Sequence, residues 1–267
     1  VLVKDNDKVE QYVEEAGEFG FDVVEISSGF LAIDTDDLVA LTEMVAEKGG
    51  PAGGVGGMDL SPELIRHARS RRGAGPFDDV LTFREGHFDA LPVADGTAST
   101  VFFGNCLTYV TDVERVFAEL RRIARPGGRI AVKDFDGGAL VVHPLDRALT
   151  YRVLAATDRA LTETPPDPPF DNYAGRKVAG LMRRAGLDEV STRSHAVHFT
   201  APLTPAAARY IRGNAAWYGQ TAAPFLDARD RAAWSAAFDP GSPDGVLDHP
   251  DFYFCMLEVV AVGRVGG

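Results

Sequence analysis

Apolar positions along the chain switch repeatedly between the near-continuous runs of buried strands and the three-to-four spacing of helices, and the alternation predicts βα units. Residues 1–3 read as a short strand. A helix capped by Asn6 or Asp7 follows, with Val9, Tyr12, Val13 and Ala16 on one face. A buried strand over 21–26 comes next, then a turn through Ser27, Ser28 and Gly29. The next helix covers 36–48, burying Leu38, Leu41, Met44 and Val45, and Gly49-Gly50-Pro51 stops it. A short strand ends at Met58, where Ser61 caps a helix that has Pro62 in its first turn. Leu64, Ile65 and Ala68 form the inner face of that helix, and Arg66, Arg69, Arg71 and Arg72 its wet side. Further strands are expected over 81–84, 100–104 and 129–134. Between the last two runs a helix capped by Asp112, with Val113, Val116, Phe117, Leu120 and Ile123 inward. Beyond His143 the pattern gives a helical segment, a proline-rich hinge over 162–169, a helix over 176–185 and strands over 187–199 and 252–262. Residues 201–250, rich in alanine and aromatics, form an insertion before the final strand.

Length and composition narrow the class. A chain of 267 residues that is 45% hydrophobic has enough apolar surface for a large α/β core with a cap. No run of eighteen apolar residues and no charged-then-apolar leader is visible, which predicts a cytoplasmic protein without a membrane span. Cys106 and Cys255 are far apart, each placed in an expected strand, and read as reduced core residues. A net charge of −12 speaks against a nucleic-acid partner. The charge is uneven, because residues 1–49 carry thirteen acids against Lys4, Lys8 and Lys48 and contain no arginine. The rest of the chain holds 22 arginines and only Lys133 and Lys177, a break that suggests two sources of sequence.

Candidate chemistry concentrates at Gly56-Gly57-Met58-Asp59-Leu60-Ser61-Pro62-Glu63. An acid at a strand-to-helix turn sits where open α/β sheets bind ligands, and it can accept hydrogen bonds from ribose hydroxyls. An ordinary solvated turn is the alternative reading. The preceding Gly53-Gly54-Val55-Gly56-Gly57 leads into a strand and not a helix, so it reads as a seam and not as a phosphate loop. His195 and His198 lie three apart on a strand and face opposite sides; no metal site is expected.

From about residue 55 onward, on the strength of the Asp59 turn, the chain resembles the class I S-adenosylmethionine-dependent methyltransferases of the quinone-methyltransferase type. Two further stretches carry the resemblance: Glu85-Gly86-His87-Phe88-Asp89-Ala90-Leu91-Pro92, and the run from the Asp112 helix through Arg125-Pro126-Gly127-Gly128. The resemblance implies a Rossmann-like α/β sheet with helices on both faces and a C-terminal helical cap, and S-adenosylmethionine as cofactor. It also implies that Asp59 binds the ribose and that Leu60 lies against the adenine. The loop with His87 and Phe88 would hold the base edge, His87 standing where the family commonly has an acid, unless it is an exposed loop histidine. Asn105, at the end of the fourth strand, would lie where methyl group and acceptor meet.

The family's first cofactor loop should be an acid followed by a glycine-rich turn. The matching run is Glu25-Ile26-Ser27-Ser28-Gly29-Phe30-Leu31, in which Glu25 and Gly29 fit, Ser27 replaces a glycine, and Phe30-Leu31 brings bulk. That segment instead resembles part of phosphosulfolactate synthase, a (β/α) barrel, of which residues 1–49 would be a βαβα module. Three regions are therefore expected: this module at 1–49, a cofactor-binding core at 50–142, and 143–267 with the cap at 201–250. The expected activity is methyl transfer to a small-molecule acceptor, with His143 and Tyr109 as candidate bases. A methyltransferase-like scaffold with a defective cofactor loop is the alternative, and a phosphosulfolactate synthase fragment a third. The cap aromatics read equally as a surface that sorts flat substrates and as plain core.

Overall fold

The computed structural model describes residues 23–27, 54–70 and 81–267. The strand expected at 1–3, the helices expected before residue 20 and over 36–48, and Gly29 lie outside the described residues. Among the described residues seven strands form one sheet: β1 (Val23–Ser27), β2 (Val55–Asp59), β3 (Leu81–Glu85), β4 (Ala98–Gly104), β5 (Ala124–His143), β6 (Asp188–Thr200) and β7 (Tyr253–Arg264). Their order across the sheet is β3-β2-β1-β4-β5-β7-β6, and β3, β2, β1, β4 and β5 pair in parallel. Helices over 62–70 and 113–123 lie in the connections from β2 to β3 and from β4 to β5, and a parallel strand covered on both faces needs an apolar run, which Ala98-Ser99-Thr100-Val101-Phe102-Phe103-Gly104 supplies.

The register aligns the carboxyl ends of these strands. Asp59 lies opposite Glu85, Ser27 opposite Gly104, and Gly104 opposite Lys133. Strand order reverses between β1 and β4, so the crevice at which such sheets bind ligands opens beyond Ser27 and Gly104. The strand contributed by the segment of distinct composition thus occupies the centre of the sheet, between β2 and β4.

Among the described residues, two helices brace this half. In α1 (Pro62–Ser70), Ser61 Oγ accepts the Leu64 N–H at 3.3 Å, and Ile65 and Ala68 are buried as expected. In α2 (Val113–Ile123), Asp112 accepts from the Arg115 N–H at 3.0 Å, and Val116, Phe117, Leu120 and Ile123 are buried. Strand β5 is far longer than the six residues expected. The ladder runs through Pro126-Gly127-Gly128, where Val265 exchanges backbone hydrogen bonds with Gly127 and Gly128, and it continues past Asp134 to His143. Cys106 is not in a strand; it follows β4 and opens the short 3-10 turn Leu107–Tyr109, because the left-handed Asn105 (φ 54°) ends the ladder. Cys255 does lie in β7, and the two cysteines form no disulfide.

The described residues divide into two compact units. The first comprises 23–134 with Gly175–Arg193 and Val259–Gly267, and contains most of α4 (Ala174–Arg184). The second comprises Phe135–Ala174 and Ser194–Glu258, and contains α3 (Arg147–Glu163), α5 (Pro205–Ala222) and α6 (Ala228–Phe238). This second unit is larger than the cap expected at 201–250, since the extension of β5 and all of α3 pack with it. Its core is built from Val153, Ile211, Tyr218, Trp234, Phe252 and Phe254. The Trp234 indole N–H is satisfied by the Ala215 carbonyl at 2.8 Å. No helix among the described residues is long and apolar enough to cross a membrane.

Candidate functional site

Asp59 ends β2 with its side chain withdrawn from solvent, at 5% exposure. One carboxylate oxygen accepts the Ser61 N–H at 2.7 Å, which fixes the carboxylate over the start of α1. Burial raises its pKa above the usual carboxylate value, and hydrogen bonds from the Ser61 and Leu60 backbone act against that rise. A carboxylate has about four lone-pair positions, so these backbone donors leave capacity for further ones. Next to it, Leu60 is 66% exposed. A buried acceptor beside an exposed apolar surface matches the two ends of a nucleoside, polar ribose and flat base.

The loop after β3 lies beside this acid. Gly86 N–H donates to the Asp59 carbonyl at 3.1 Å, tying the ends of β2 and β3 together. A β-carbon on Gly86 would lie 2.8 Å from Cδ of Pro92, so the spacing from Gly86 to the Leu91-Pro92 pair is a packing requirement. His87 Nδ1 pairs with the Asp89 carboxylate, which Arg115 also approaches at 3.3 Å. His87 is thus exposed and engaged within its own loop, and its ring stacks at a tilt on Phe88 with centroids 4.4 Å apart. Phe88 meets Phe103 edge to face at 5.9 Å, which anchors the loop against β4.

The far end of the loop is clamped by a network that sequence reading missed. Glu119 accepts the Leu91 N–H and both the Nε and Nη2 of Arg122, while Arg122 also donates to the carbonyls of Val93 (2.7 Å) and Leu91 (3.1 Å). The Arg122 hydrogen bond holds the Glu119 carboxyl below the usual glutamate range; burial works in the other direction.

Across the switch point, Asn105 follows β4 in a left-handed conformation that asparagine tolerates better than most residues. Its N–H donates to the Lys133 carbonyl at 2.9 Å, and its side-chain oxygen accepts from Lys133 Nζ at 2.9 Å. Lys133 is only 2% exposed. Asp134, fully buried, accepts the Thr108 N–H at 3.0 Å and so holds the turn that carries Tyr109. Two consecutive residues of β5 therefore fix the two ends of the loop after β4. One signal for Lys133 was present in the sequence: it is one of two lysines after residue 49, and it interrupts an apolar strand.

Burial, with Asp134 and Cys106 nearby, raises the Tyr109 pKa well above its ordinary value. Such a phenol keeps its proton at neutral pH, which suits it to donate a hydrogen bond and not to accept a proton. His143 belongs to the second unit, at the exposed end of β5. Glu25 and Ser27 lie on β1, Ser27 at the crevice end. The first unit thus brings Asp59, Leu60, His87 and Phe88 together around the ends of β2 and β3, with Asn105 and Tyr109 beyond β4.

The strand order, the switch point and the acid at the end of β2 define a class I, Rossmann-like methyltransferase fold. Residues 39–132 match the methyltransferase domain family, and residues 1–54 match (2R)-phospho-3-sulfolactate synthase, in agreement with the two resemblances read from the sequence. A demethylmenaquinone methyltransferase of Thermobifida fusca is 34% identical over 48% of this chain and 53% of its own length. The YcgJ protein of Bacillus subtilis superposes with a TM-score of 0.56 at 10% identity, over 97% of this chain and 99% of that one. Phosphoethanolamine N-methyltransferase 2 of Haemonchus contortus, solved with S-adenosyl-L-methionine, gives 0.52 at 12% identity over 98% of this chain and 53% of that one. The chain spans between 23% and 57% of the length of the curated methyltransferases it matches.

Proposed function

We propose that this protein transfers a methyl group from S-adenosylmethionine to a small-molecule acceptor. The observation that carries the reading is the pairing of a buried Asp59 carboxylate with the exposed Leu60 at the carboxyl end of β2, next to a loop held by Gly86 and Phe88. Asp59 would accept the ribose hydroxyls, Leu60 would cover one face of the adenine, and the backbone of the 86–89 loop would meet its edge. When bound, the cofactor supplies an electrophilic methyl on a sulfonium sulfur, and the sulfur keeps the bonding pair as the acceptor's nucleophilic atom bonds to the carbon. Asn105 and Tyr109 would orient the acceptor by hydrogen bonds, since positioning accounts for much of the acceleration in such a displacement. Where the acceptor is a hydroxyl a base is also needed, a part to which Tyr109 is unsuited because it holds its own proton.

The βα module at 1–49 takes the place of the family's first βα unit in this reading, with the core at 50–142 and the remainder at 143–267. Titration calorimetry with S-adenosylhomocysteine is the test. Micromolar binding that falls about a hundredfold in Asp59→Ala fits two charge-assisted hydrogen bonds of roughly 1.5 kcal/mol each. The affinity should also weaken on acidification, as pH falls through the raised Asp59 pKa and the acceptor is lost. A cooperatively folded chain that binds nothing would favour the other reading, a non-catalytic methyltransferase-like scaffold in which Ser27, Phe30 and Leu31 obstruct the cofactor.

A further inference from the structure

Lys133 is an unexpected residue for its place. It follows Ile130, Ala131 and Val132 in β5, all buried, and is itself only 2% exposed. A fourth apolar side chain would complete the strand, whereas a lysine taken out of water is costly unless its donors are engaged. The residue is therefore explained by what it holds and not by the core it interrupts.

What it holds is Asn105. The Asn105 N–H donates to the Lys133 carbonyl at 2.9 Å, and Lys133 Nζ donates to Asn105 Oδ1 at 2.9 Å, so one residue grips both the backbone and the side chain of the other. The grip falls where β4 ends. Gly104 is paired with Ser27 on one side and Lys133 on the other, and Asn105 turns left-handed directly after it. The middle rung of that row is a glycine, and Lys133 reaches past it to the next residue.

The two ends of an asparagine amide are nearly alike in shape and opposite in polarity. An ammonium has three donors and no acceptor, so only the oxygen can face Lys133, and the amide nitrogen with its hydrogens is turned the other way. Asn105 is half-buried, at the crevice that opens where the strand order reverses. Tyr109, whose phenol keeps its proton, is a second donor on the same loop.

We propose that Lys133 is a positioning residue: it fixes Asn105 with the amide N–H toward the ligand, so that the loop after β4 meets a lone pair and refuses a cation. An acceptor approaches with a lone pair, whereas a protonated amine, which cannot take a methyl group, finds no oxygen of Asn105 to bond. Identifying the ligand as acceptor and cofactor rests on the methyltransferase reading.

S-adenosylhomocysteine and sinefungin, titrated in turn against the full chain by calorimetry, read the polarity of this group. They share the nucleoside and the amino-acid tail, but sinefungin carries a protonated amine where the transferred methyl group would sit. The ratio of the two affinities reports local polarity and is insensitive to a change in stability or in the nucleoside site. Lys133→Met frees the amide to present its oxygen; Asn105→Asp keeps a partner for Lys133 and offers a carboxylate oxygen in place of the N–H. Both should shift the ratio toward sinefungin, by about tenfold in Asn105→Asp, where a charge-assisted hydrogen bond is gained. The proposal is overturned if either variant keeps the wild-type ratio within about twofold, whether it binds both ligands normally or loses both alike, as a purely structural role predicts. Should Lys133→Met fail to melt cooperatively, Lys133→Gln replaces it, since its amide can accept as well as donate; the same shift supports the proposal and an unchanged ratio overturns it. A wild-type chain that binds neither ligand removes the methyltransferase reading and this one with it. Binding of both, with a ratio that no variant moves, removes this one alone.

Discussion

Replacing Arg122 by methionine tests whether the loop after β3 is held by its clamp. The substitution keeps the aliphatic stem and removes a guanidinium that donates to Glu119, Val93 and Leu91. The ion pair with the exposed Asp95 contributes little. The Glu119 contact differs, because that carboxylate is 13% exposed and would be left with the Leu91 N–H but no cation. Hydrogen bonds to charged groups contribute roughly 1.5–3 kcal/mol, and those of one side chain do not add, so the net loss should be about 3 kcal/mol. At about 2–4 °C per kcal/mol for a domain of this size, melting should fall by about 6–12 °C at pH 7. The sign of the pH dependence follows from Glu119, whose folded pKa is depressed by Arg122. Its stabilising contribution is complete above the unfolded glutamate value of about 4.3 and is lost as pH falls through the lower folded value. The gap between wild type and Arg122→Met should therefore be widest near neutrality and close below about pH 4. Calorimetric melts across that range decide the matter. A variant melting within about 2 °C of wild type at pH 7, or a gap that stays constant on acidification, would refute the clamp.

Two other substitutions probe the same half of the sheet. Gly86→Ala forces a methyl group against the Pro92 ring and should cost about 1–3 kcal/mol while weakening S-adenosylhomocysteine binding; urea melts and calorimetry on the same sample would show both. Leu120→Ala empties a fully buried position on α2 and should cost about 2–5 kcal/mol by urea denaturation, with nucleoside affinity per folded molecule unchanged.

Much of the first unit was legible because its determinants are local. Asp112 and Ser61 cap the helices they precede, the Asp59 turn falls where an acid follows an apolar run, and the buried face of α2 follows its period. Contacts between distant positions left no local trace. Nothing near Asn105 announces that Lys133 will reach its side chain, and nothing near Leu91 announces Glu119. The extension of β5 past Asp134 was not expected, because what sustains it is distant: Gly137 admits Asn172 and Tyr218. The cap aromatics were ambiguous for a similar reason. Trp234 and Phe238 proved to be core, while Trp217 remains half-buried beside Phe170, a division that depends on tertiary packing.

The central place of β1 bears on how such a chain arises. A parallel ladder is made by backbone amides and carbonyls, which are the same in every residue but proline, so a strand brought from elsewhere can be accepted at five rungs without a matching set of hydrogen-bond partners. The ladder itself thus sets few demands on side-chain identity, whereas the carboxyl ends of the strands, where such sheets bind ligands, set many.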